Sequence, residues 1–112
     1  MGEDKRKHPR IVGYAKAVVA GAMTPGYIRD LSRTGCQVSF MQPISAATGS
    51  LLKMDVIAEH DPTIAPFQLC IRVRWLKADP PWYSLGGEIE TLSCRADEEC
   101  FERLVAYYET GR

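Results

Sequence analysis

The strict period-two alternation over residues 67–76 does most to constrain what this chain can fold into. Phe67, Leu69, Ile71, Val73 and Trp75 fall on one side, and Gln68, Cys70, Arg72, Arg74 and Leu76 on the other. Successive strand side chains point to opposite faces, so this pattern predicts a long strand with one buried face. Leu52, Met54, Val56 and Ala58 repeat it against Lys53, Asp55, Ile57 and Glu59. Cys36, Val38 and Phe40 do so around Gln37 and Ser39, and Tyr83, Leu85, Gly87 and Ile89 form one face of a further strand. Residues 12–20 and 26–31 predict two more. Turn-forming clusters at 24–26, 32–35, 43–49, 60–66 and 79–81 separate the runs. About six short strands at this spacing predict an all-β fold, an antiparallel barrel or sandwich.

Two local departures refine the picture. In residues 26–31, Ile28 shares parity with Asp30 while Arg29 shares it with Leu31. An apolar face cannot be kept through that stretch without a β-bulge, and one is expected near Arg29. After residue 95 the period changes. Cys100, Phe101, Leu104, Val105 and Tyr108 fall on one face of a helix. Asp97, Glu98 and Glu99 suit the positive end of its dipole, and Glu99 and Arg103 are spaced to pair at i, i+4. The organisation is thus one domain: a flexible basic arm over 1–11, a barrel over 12–95, and a C-terminal helix over 96–110 that covers the barrel's open end.

Composition excludes several classes. With 46% hydrophobic and 25% charged residues the chain suits a globular domain. No apolar run approaches spanning length, so no membrane insertion is expected. Residues 1–7 are polar and resemble no secretory leader, and the location is expected to be cytoplasmic. Cys36, Cys70, Cys94 and Cys100 form no CxxC pair, and His8 and His60 are isolated, so neither metal nor cofactor is expected. No nucleophile elbow or P-loop appears, and catalysis is not expected.

Charge is informative through its distribution. Net charge is zero, yet residues 1–35 hold seven Lys or Arg against three acids, and the remainder holds seven against eleven. A basic first third on an acidic body points to a local anion site rather than a surface that coats nucleic acid. Within that third lie Arg6 and Arg10 in an RxxxR spacing, then Asp30, Ser32 and Gly35 in a DxSxxG spacing. Pro9 disfavours helix at His8. In an extended arm the two arginines face one side, roughly 13 Å apart. Guanidinium groups match phosphate and the guanine edge as bidentate forks. Asp30 and Ser32 offer an acceptor and a donor at one turn, and Gly35 provides left-handed or close-approach backbone there.

These two motifs in this order resemble the signatures of PilZ domains, and the resemblance spans essentially the whole chain and implies a six-stranded antiparallel β-barrel with a C-terminal α-helix. Leu85-Gly86-Gly87 is similar to the family's late glycine region. The resemblance implies a bacterial receptor for the second messenger cyclic di-GMP. It implies that Arg6, Arg10, Asp30, Ser32 and Gly35 hold the ligand, with Lys5 and Arg33 as secondary candidates. Binding is expected to order the arm over the barrel and so to pass a signal to an unidentified downstream protein. A monomer or weak dimer is expected, and no nucleic acid partner. Two alternatives remain. One is a ligand-independent adaptor acting through Trp82, Tyr83 and the helix. The other is a barrel that stacks single-stranded nucleic acid on Tyr14, Tyr27, Trp75, Trp82 and Tyr83.

Overall fold

The computed structural model describes residues 14–20, 22, 25–92 and 95–110. Its elements are β1 (Lys16–Val19), β2 (Gly26–Leu31), β3 (Gly35–Phe40), β4 (Leu51–Ile57), β5 (Phe67–Asp79), β6 (Trp82–Leu92) and α1 (Arg95–Thr110). All strand pairs are antiparallel, and they close in the order β1-β2-β3-β6-β5-β4. The predicted barrel and terminal helix are both present. Closure removes the free edges that a small open sheet would expose.

The alternating residues meet inside. Ile28, Val38, Phe40, Met54, Val56, Leu69, Ile71 and Val73 are all fully buried. Among the described residues the first strand runs from Lys16 to Val19, within the 12–20 expected, and residues 12 and 13 lie outside them. The last hairpin is longer than the sequence suggests, with β5 running to Asp79 and turning through Pro80-Pro81. The bulge expected near Arg29 is there: Ile28 pairs with Val38, and pairing resumes at Asp30 with Gln37. Leu31 therefore stays buried while Asp30 turns outward.

A second bulge corrects the sequence reading. Pairing of β5 with β6 slips between Val73 and Trp75. Trp75, assigned by parity to the buried face, emerges 40% exposed on the outside. The cause lies on the opposite strand. A Cβ at Gly87 would collide with the main-chain carbonyl of Arg72, so the two backbones lie closer than any other residue allows.

Helix α1 covers the barrel with Phe101, Leu104, Val105 and Tyr108, all buried. Phe101 meets Phe67 of β5 edge-on at 6.5 Å. Tyr108 is the largest fully buried side chain, and its hydroxyl joins two strands. It accepts from the Ala15 N–H at 3.0 Å and donates to the Ile28 carbonyl. The Ile28 N–H donates directly to the Ala15 carbonyl at 2.8 Å. One of the two bonds expected of such an antiparallel pair is therefore direct, and the other is bridged through the hydroxyl. The predicted Glu99–Arg103 pair does not form. Arg103 instead donates to the Thr63 carbonyl and hydroxyl at 3.3 and 2.8 Å, tying the β4–β5 loop to α1. No helix among the described residues is long and apolar enough to cross a membrane.

Candidate ligand-binding site

The DxSxxG segment forms the end of β2, a tight turn and the start of β3. Ser32 builds that turn. Its Oγ accepts from the N–H groups of Gly35 at 3.1 Å and Thr34 at 3.3 Å, and its own N–H donates to the Gly35 carbonyl at 2.9 Å. This self-capping is what Ser does best in a reversing chain. Asp30 Oδ1 likewise accepts from the Leu31 N–H at 3.1 Å, which fixes the carboxylate against its own backbone. Gly35 has no positive φ, so of the two geometries expected there only close approach applies. A Cβ at Gly35 would stand 3.3 Å from the Gly87 carbonyl.

Asp30, Ser32 and Gly35 share one surface hollow of about 270 Å³, whose lining is completed by Cys36, Gln37, Trp75 and Gly87. Gln37 arrives because it pairs with Asp30 on one side and Gly86 on the other. Trp75 arrives because the second bulge turns it outward. Its indole lies flat on Gly86, so closely that a Cβ there would overlap the ring. Both late glycines thus serve the hollow, one by seating the indole and one by admitting the bulge. Sequence reasoning placed Trp75 in the core or on a stacking platform and overlooked Gln37. The outward position of Gln37 beside Asp30 was available as a signal, but the bulge that exposes Trp75 was not.

Among the described lining residues the one charged group is Asp30. The hollow offers a carboxylate, a hydroxyl, an amide and an aromatic face. That set suits the donor edge and flat face of a purine base. Burial pushes the Cys36 thiol up to about 12, so it contributes as a neutral apolar group rather than a thiolate.

Next to Asp30, Arg29 holds its guanidinium 4.6 Å from the Trp82 ring centre and 5.1 Å from that of Tyr14. Tyr27 meets Trp82 edge-on at 6.4 Å. Two of the aromatics considered as nucleic-acid platforms thus flank one arginine, and a third, Tyr27, packs on one of them. Arg33, the secondary candidate inside the turn, points to the helix and donates to Glu102 Oε2 at 2.8 Å. Arg6, Arg10 and Lys5 lie outside the described residues.

A small barrel with a surface hollow built at a turn is a binding domain in form. A family model described as PilZ domain matches residues 4–107, and the chain belongs to that family. The matched span includes both the RxxxR and the DxSxxG segments. No curated protein and no solved structure matches the chain.

Proposed function

We propose that this protein is a receptor for cyclic di-GMP. The ligand carries two phosphates and two guanines. Asp30 accepts from a guanine N1–H and N2–H₂ edge, Ser32 keeps the turn in shape and turns its hydroxyl to the same edge, and Gly35 admits the ligand close to the backbone. Arg6 and Arg10 supply the positive charge that the described lining of the hollow lacks, through bidentate bonds to phosphate or to guanine O6 and N7. Lys5 adds charge beside them. Arg33 serves the turn by anchoring it to α1.

The observation that carries this reading is the family match across both motifs, together with the gathering of Asp30, Ser32 and Gly35 around a hollow walled by an indole. The signal is the folding of the arm onto the barrel over the bound ligand, which creates a surface for a downstream protein.

Isothermal titration of cyclic di-GMP into the wild type, Arg10→Ala and Asp30→Ala tests the reading. Saturable heat in the wild type and its loss in both variants is expected, since removing one partner of a desolvated charged pair costs about 2–5 kcal/mol. No heat from folded wild-type protein overturns it and leaves the ligand-independent adaptor.

A further inference from the structure

Strand β5 outruns its neighbour. β4 follows it only as far as Arg72. Beyond that, the Gly49 N–H donates to the Val73 carbonyl at 2.7 Å and the Val73 N–H to the Ser50 carbonyl at 2.9 Å. From residue 74 to residue 79 the strand is held by β6 alone, through pairs running from Trp75 with Gly86 to Asp79 with Trp82. No strand among the described residues lies on its other side. All six residues are exposed. A barrel that is otherwise closed therefore carries an open edge, and an open edge accepts an extended chain.

The edge is not uniformly polar. Leu76 is 44% exposed. The face that bears Leu76 and Ala78 runs into an apolar hollow of about 300 Å³ with Ile44, Tyr83 and Leu85. This hollow is separate from the one at Asp30.

The edge's own sequence identifies its partner. Two copies related by a twofold axis perpendicular to the sheet pair antiparallel, and facing residues then project from the same side of the joined sheet. Facing residues must therefore differ by an even number of positions. A register centred on Lys77 sets two ammonium groups against each other, which is unfavourable. In the regular stretch beyond the bulge, a register centred on Leu76 sets Leu76 against Leu76 of the second copy and Trp75 against Lys77, while Arg74, the bulged residue, reaches Glu88 on its own sheet. The first pair joins two apolar side chains beside two apolar hollows, and the second places a cation on an indole. The chain's net charge of zero adds no long-range repulsion.

We propose that the protein self-associates edge to edge through residues 75–77 of β5, in the antiparallel register centred on Leu76. Trp75 also walls the hollow at Asp30, so the second copy's Lys77 arrives at that wall. The dimer thereby brings a cation to a hollow whose described lining has none.

Sedimentation velocity on the full chain from micromolar to millimolar concentration is the test, with Leu76→Asp, Leu76→Cys and Lys77→Cys beside the wild type. The wild type is expected to shift from monomer to dimer with concentration. Leu76→Asp stays monomeric throughout with an unchanged far-ultraviolet spectrum, because the side chain is exposed and the fold does not need it. Directly opposed strand residues place their Cβ atoms about 4.5–5.5 Å apart. Mild oxidation therefore links Leu76→Cys into a covalent dimer, while Lys77→Cys and the wild type link no faster than each other. A wild type monomeric at every concentration, a dimer indifferent to Leu76→Asp, or preferential linking of Lys77→Cys each overturns the proposal.

Discussion

Replacing Tyr108 by Phe removes one oxygen from the largest fully buried side chain of the fold and leaves its packing in place. That oxygen serves two main-chain groups, the Ala15 N–H and the Ile28 carbonyl. Orphaning a buried polar group costs about 1–3 kcal/mol. With two groups orphaned and some relaxation, Tyr108→Phe is expected to cost about 2–4 kcal/mol. For a chain of this length roughly 4 °C is lost per kcal/mol, so the melting temperature should fall by roughly 8–16 °C. Urea unfolding followed by far-ultraviolet circular dichroism gives the free energy directly. The midpoint should fall at unchanged slope, because the surface exposed on unfolding is the same. Without the hydroxyl as spacer, Ala15 and Ile28 could close their own bond. A loss below about 0.5 kcal/mol, small beside the orphaning cost, would show that they do, and that the hydroxyl holds the strands apart rather than together.

Further expectations concern the glycines, the turn and pH. Gly87→Ala should lower stability by about 1–3 kcal/mol in a thermal melt, because its Cβ meets immobile backbone. Gly86→Ala meets only a half-exposed indole and should leave stability nearly intact while changing tryptophan fluorescence and weakening ligand binding. Ser32→Ala removes an acceptor from two N–H groups and should cost about 1 kcal/mol by chemical denaturation, with a parallel loss of affinity. Cys36 and Tyr108 both have folded pKa values raised by burial. The unfolded chain sheds these protons first, so stability is full below about pH 9 and declines as pH rises beyond it. A series of melts at alkaline pH reads this, and a flat profile would argue against it.

The strands were legible because burial on one face leaves a period-two record that local sequence cannot avoid, whereas their closure into a barrel depends on pairing that periodicity does not encode. The bulge at Arg29 was legible for the same reason, since Ile28 and Leu31 cannot both face inward without it. The bulge before Trp75 left no such record. Trp75 continues the apolar parity of Phe67 to Val73, and only the backbone of Gly87 on the next strand breaks it. Charge partners were equally opaque. Arg103 sits four residues from Glu99 yet turns to Thr63, and Arg33 turns to Glu102, because loops folded onto the helix bring closer acceptors. At the candidate site, Asp30, Ser32 and Gly35 were found from their spacing. Gln37 and Trp75 joined them through strand pairing, which spacing does not encode.

Arg29 is one residue too many for the strand that carries it. Without it, Tyr27, Ile28, Asp30 and Leu31 would alternate outward and inward in perfect phase with β3. The insertion interrupts the ladder, yet every neighbour still faces where it should. Excision of Arg29 would bring β2 back into continuous register with β3, and it would strip from the surface the guanidinium between Tyr14 and Trp82. A supernumerary residue of this kind is not required by the core. It marks a place where the sequence has traded regular pairing for a side chain displayed beside Asp30.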